Sequence, residues 1–224
     1  MNRATFLWVL AICGACSTHS EGLSVAVYSS GVDRSARAWV SDAGESIHVI
    51  RGYISMSDLE IVRCEQPVAR WHWPSLIGEA HAHTTSSPTK IGSPVVEDVL
   101  SYNQFTVGTL APPPARYCSV KGHFGPADLD ATNLPRDFSM VGKTFKLEVT
   151  MGALQRELTI EGAQRIPFEV GATIDVSGAT PHASVIVGKD ASAWFRGIDF
   201  AGSPETYAAT FASNLASSAR VAVE

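Results

Sequence analysis

The pattern His81-Ala82-His83, with Trp71-His72-Trp73 a few residues ahead of it, is the part of this sequence best suited to chemistry. Three of the chain's seven histidines fall between positions 72 and 83. On extended backbone, alternate side chains share a face, so the imidazoles of His81 and His83 can grip one ion in a way adjacent residues cannot. Imidazole suits copper, zinc and nickel, and an oxygen from Glu79 or Glu97 selects zinc or oxidised copper over monovalent copper. His72, and His123 after a predicted strand, complete the candidate ligand set. No methionine or cysteine stands beside the pair, which argues against a blue-copper arrangement. The competing reading is a surface loop or structural turn whose histidines hydrogen-bond backbone. Trp71 and Trp73 alternate toward one face and read first as core or surface-anchoring aromatics, second as walls of a shallow ligand groove.

Other chemistry is thinly represented. Asp128-Leu129-Asp130 offers two carboxylates for calcium, but lacks the glycine and terminal glutamate of a calcium-binding helix-loop-helix and reads as a polar turn. There is no Gly-x-Ser-x-Gly elbow, phosphate-cradling glycine loop or His-Glu-x-x-His helix, so the expectation is a non-enzymatic protein. The formal charge is −5 and no basic stripe exists to neutralise phosphates, which argues against a nucleic-acid partner.

The N-terminus specifies a compartment. Arg3 precedes an apolar run from Ala4 to Ile12, then Cys13-Gly14-Ala15-Cys16. The run is too short to span a bilayer and reads as a secretory signal over residues 1–15. It resembles a bacterial lipoprotein signal, with small residues ahead of a lipid-accepting Cys16, although Cys13 stands where leucine is usual. The resemblance implies a membrane anchor through lipid at Cys16. Ser17 after it is similar to lipoproteins sent to the outer membrane. Removal of Cys13 and lipidation of Cys16 leave Cys64 and Cys118, which in an oxidising compartment can pair in one way only.

These features need elements to hold them. Residues 16–45 read as the lipidated cysteine, a tether and a weakly patterned segment, with a first strand at Leu23 to Tyr28. Residues 46–224 read as the folded body. Ser46 to Glu65 is spaced for two strands or one long bulged strand, with irregularities at Gly52 and Ser57-Asp58. Gln104 to Leu110 and Arg116 to Phe124 form a second pair, separated by three prolines that force a turn or stiff connection at a sheet edge. Lys143 to Thr150 and Leu154 to Glu161 form a third, with Phe145, Leu147 and Val149 in clean period-two alternation. Strands follow at Ile166 to Val170, Thr173 to Val176 and Ala183 to Val187. One helix starts at Pro204 after Ser203, and Ala219 to Val223 can return as a strand. Many short strands without alternating helices specify an all-β, antiparallel β-sandwich, immunoglobulin- or transthyretin-like, with a short C-terminal helix.

The run from Gly52 to Ile61, the segment Ala115-Arg116-Tyr117-Cys118-Ser119-Val120 and the Phe145-Lys146-Leu147-Glu148 strand together resemble the strand layout of MbnP-like periplasmic proteins. That family is associated with copper handling. The resemblance implies a β-sandwich lipoprotein with copper favoured over zinc, but Trp71-His72-Trp73 falls earlier than the family's tryptophan-rich segment, so no ligand carries over by position. The alternative function is an envelope structural or interaction module that binds a protein or glycan through exposed loops and aromatics.

Overall fold

A computed structural model describes residues 23–30, 38–64, 86–101, 103–153 and 155–224. Among these residues twelve strands and one α-helix follow in chain order. The strands are β1 (Ser24–Ser29), β2 (Ala38–Val40), β3 (Ser46–Arg63), β4 (Lys90–Ile91), β5 (Val95–Asp98), β6 (Phe105–Leu110), β7 (Ala115–Phe124), β8 (Phe145–Met151), β9 (Arg156–Gly162), β10 (Ile166–Val176), β11 (His182–Lys189) and β12 (Ala219–Val223). The helix α1 (Pro204–Ser218) lies between β11 and β12.

The strands form two sheets, as expected for an all-β sandwich. The larger is ordered β10-β7-β3-β8-β9, with β2, β4 and β5 also paired to β3; the smaller is ordered β12-β11-β1-β6. Pairing is antiparallel throughout except between β1 and β11, which run parallel. Because β1 is an inner strand of the smaller sheet, the sandwich takes in residues upstream of the boundary expected at residue 46.

The long strand β3 organises the larger sheet. Its register shifts at Val49/Arg51, Met56/Asp58 and Val62/Arg63, so it bends enough to pair with β8 along its first half and β7 along its second. The Met56/Asp58 shift coincides with the irregularity expected at Ser57-Asp58. The expected pairing of the two strands around the prolines is not what forms. β6 joins β1, β7 joins β3 and β10, and residues 111–114 carry the chain from one sheet to the other. A triple proline is too stiff for a tight hairpin and suits this crossing. Residues 166–176 likewise make one strand with a register shift at Gly171/Ile174, in place of two.

The core lies between the sheets. Val25, Val27, Leu110, Val185 and Val187 of the smaller sheet join Ile54, Ile61, Val120, Phe145, Leu147 and Val149 in one buried cluster. Ser203 caps α1, its hydroxyl accepting from the Thr206 N–H, with Pro204 in the first turn. Phe211 of α1 packs on Phe145 and Trp194 at ring separations of 4.8 and 5.8 Å. Trp194 stacks on Trp39 of β2. Asp190 starts the short 3₁₀ turn Ala191–Ala193 by accepting from the Ser192 hydroxyl and N–H, and these bonds hold its carboxyl below the ordinary aspartate range. A second, smaller cluster, Val96, Ala127, Ala131, Phe138 and Met140, packs with Tyr53.

Candidate functional site

The segment with most of the candidate ligands follows β3 in sequence. His72, His81, His83, Trp71, Trp73 and Glu79 fall in residues 65–85, outside the described residues, as does Cys16. Both ends of that segment are described. At its start, Cys64 is disulfide-bonded to Cys118 of β7, with a Cα–Cα distance of 4.7 Å, and its N–H donates to the Arg116 carbonyl. The expected bridge is therefore present, and it joins the two neighbouring strands where β3 ends. At the segment's other end, Ser87 and Lys90 exchange backbone hydrogen bonds in a turn, and Ile61 N–H donates to the Thr89 carbonyl. β4 then pairs with Leu59 and Glu60 of β3. The chain leaves β3 at one end and comes back to the same strand.

His123 lies on β7, beside Asp58 across the β3/β7 ladder. Its Nδ1 is 2.7 Å from Asp58 Oδ1, while Arg165 donates to Asp58 Oδ2 at 2.7 Å and the Lys90 ammonium lies 3.4 Å from the same oxygen. The Asp58 side chain is 3% exposed, and its two carboxyl oxygens are surrounded by His123, Arg165 and Lys90. A carboxyl oxygen at 2.7 Å accepts from the His123 Nδ1–H, which leaves Nε2 as the ring nitrogen not engaged by Asp58. Arg165 lies 3.1 Å from the same Nδ1, but its hydrogen bond goes to Asp58. A carboxylate that orients an imidazole in this way is the usual second partner of a metal-bound histidine. Sequence reasoning named His123 and missed Asp58, Lys90 and Arg165.

Glu97, expected as an oxygen ligand near the histidines, is engaged elsewhere. It accepts from Lys189 at 2.6 Å and from Ser29 at 2.9 Å, both through Oε2, and Lys189 also donates to Ser29 at 2.8 Å. All three residues are buried, and they tie β5 of one sheet to β1 and β11 of the other. Alternation along β5 dictates this: Glu97 points to the inter-sheet side while Val96 faces the smaller cluster. Glu97 thus does not join His123, and no group of three or more His, Cys, Asp or Glu that could hold a metal occurs among the described residues. The Asp128–Asp130 segment is a turn in which Asp128 accepts from the Asp130 N–H.

A groove of about 690 Å³ opens where the β2–β3 and β8–β9 turns meet the loop before α1. Asp42, Glu45, Asp199 and Arg156 line it, but Asp42 is used by the Gly197 N–H and Arg156 by the Phe200 carbonyl. These bonds serve to fix the turns. Among the described residues no helix is long and apolar enough to cross a membrane. Comparison with known proteins finds no matching family model, no matching curated protein and no matching solved structure.

Proposed function

We propose that this protein is an exported, lipid-anchored, non-enzymatic β-sandwich whose working part is the segment 65–85, and that this segment binds one copper ion through His81 and His83. The observation that carries the reading is the double anchoring of that segment. A disulfide at Cys64 and the Ser87–Lys90 turn fix both ends to β3, as a rigid scaffold fixes a functional loop. Twenty-one residues fully extended reach about 70 Å, so the length of segment 65–85 allows its histidines to approach His123 on β7. His72 and His123 are therefore the assisting ligands. Lys90, just beyond the loop, already touches the Asp58 carboxylate that orients His123.

The disulfide supports export, since such bonds persist in oxidising compartments. Residues 17–21, small and polar, lie between Cys16 and the folded body and serve as the tether to the outer membrane. Several acyl chains on one residue anchor far more firmly than the marginal binding of a single chain.

The test is copper stoichiometry of the membrane-extracted protein, purified without a metal-binding tag, by native mass spectrometry. One copper per chain, lost in the His81→Ala/His83→Ala double variant with unchanged unfolding midpoint in chelator, supports the proposal. Unchanged binding in that variant refutes the site. Absence of copper and zinc binding in the unmodified protein refutes the function.

A further inference from the structure

Cys64 and Cys118 are both exposed, so the disulfide between them lies on the surface of the larger sheet and not in the core. It closes the corner where β3 ends beside β7. A surface disulfide is within reach of an incoming thiolate, and exposed bridges are reduced more readily than buried ones. The neighbours favour the reduced form. Arg63 precedes Cys64, and Arg116, two residues before Cys118 on β7, shares its face. Both arginines are exposed, and a nearby guanidinium stabilises a thiolate. Asp175 of β10 stands opposite Arg116 and offsets part of that charge.

Reduction does not scatter the two sulfurs. The Cα atoms are 4.7 Å apart, and the backbone holds them there independently of the bridge. Cys64 N–H donates to the Arg116 carbonyl at 3.0 Å, and the ladder continues through Val62 opposite Ser119 and Ile61 opposite Val120. Neither cysteine belongs to the buried cluster, so opening the bridge leaves the core filled. What remains is a pair of adjacent thiols fixed on two paired strands. Thiolate is a soft donor that selects monovalent copper or zinc. Zinc takes four ligands in closed protein sites, and among the described residues no group of even three His, Cys, Asp or Glu could hold a metal. Monovalent copper is satisfied by two thiolates. Its bis-thiolate complex carries one negative charge, which Arg63 and Arg116 complement.

We propose that Cys64 and Cys118 are a reducible pair that, once opened, holds one monovalent copper ion. In the first step the Sγ–Sγ bond of the bridge breaks, taking two electrons and two protons from a protein dithiol that is itself oxidised to a disulfide. In the second, one monovalent copper ion displaces the two thiol protons and is bound by both sulfurs. The site uses none of the histidines, and the proposed His81–His83 site and this one do not depend on each other. It takes the oxidation state of copper that carboxylate oxygen and imidazole favour less.

The experiment uses the full chain carrying His81→Ala and His83→Ala, so that those imidazoles contribute nothing. It is incubated with reduced thioredoxin, and its thiols are counted by alkylation and mass spectrometry without denaturant. After the reductant is removed, monovalent copper is titrated anaerobically against bicinchoninate. The expected result is two newly alkylated cysteines, Cys64 and Cys118, in a chain that keeps its far-ultraviolet circular dichroism. One copper is retained per reduced chain and none per oxidised chain. Cys118→Ser, which leaves a single thiol, weakens copper by tenfold or more. A bridge that thioredoxin leaves intact overturns the inference, as does a reduced chain that loses its fold. So does a reduced chain that binds copper no better than the oxidised chain or the Cys118→Ser variant, or that retains zinc in preference to copper.

Discussion

Lys189→Met leaves the Glu97 carboxylate in the inter-sheet core without its cation. The side chains are similar in length, so packing changes little, while the 2.6 Å ion pair and the 2.8 Å bond to Ser29 are lost. Removing one partner of a buried ion pair costs about 3–5 kcal/mol, because the other is left buried without its counter-charge. For a chain of this size that corresponds to a fall of about 6–20 °C in unfolding temperature. Adding Glu97→Leu to Lys189→Met removes the stranded charge and recovers most of the loss, since Ser29 keeps its bond to the Val187 carbonyl. The assay is urea unfolding in chelator at pH 7. A Lys189→Met deficit below 1 kcal/mol, or a double variant no more stable than Lys189→Met alone, refutes the claim that this pair is buried and dry.

Further outcomes follow from other contacts. Reduction of Cys64–Cys118, which closes a separation of 54 residues, lowers stability by about 4 kcal/mol in the chain-entropy model, read as the shift in urea midpoint with and without reductant. A shift below 1 kcal/mol would show that the bridge barely constrains the unfolded chain. Phe211→Ala removes a fully buried ring packed on Phe145, Trp194 and Phe195 and costs about 3–5 kcal/mol; an effect under 1 kcal/mol would mean that α1 does not cover the core as described. The Asp190 carboxyl, lowered first by the Ser192 hydroxyl and then by the Ser192 N–H, contributes stability that is fully present above the ordinary aspartate pKa and is lost as pH falls through the lower folded value. In Asp190→Asn that acid-side component disappears, so the stability difference between the two proteins narrows below about pH 4; a difference that is constant from pH 2 to 6 contradicts the assignment.

Much of the fold was legible because local signals agreed with tertiary ones. Phe145, Leu147 and Val149 alternate in sequence and are each fully buried. Ser203-Pro204 announced a helix that begins there. The pairing of two cysteines admitted one solution, and it is the one found. The failures have a common physical origin in contacts made far along the chain. Trp39 sits in a weakly patterned stretch, and its packing on Trp194 and Phe195, 155 and 156 positions away, with its Nε1–H donated to the Ala191 carbonyl, explains its burial. Glu97 reads as a candidate metal-ligating oxygen, because its actual partners Ser29 and Lys189 lie 68 positions before and 92 after it. Asp58 read as a break in a strand. The break is real, but the same register shift seats the carboxylate against His123 and Arg165, which nothing local announces. His72, His81 and His83 could be named by type and spacing alone, and their surroundings lie outside the described residues.

The most direct test of the proposed copper site is the electron paramagnetic resonance spectrum of the protein loaded with one equivalent of oxidised copper. Bound imidazoles impose nitrogen superhyperfine structure, so the account predicts at least two coupled nitrogens, reduced by one in each of His81→Ala and His83→Ala and abolished in the double variant. A spectrum without coupled nitrogens, or one that the double variant leaves unchanged, contradicts it.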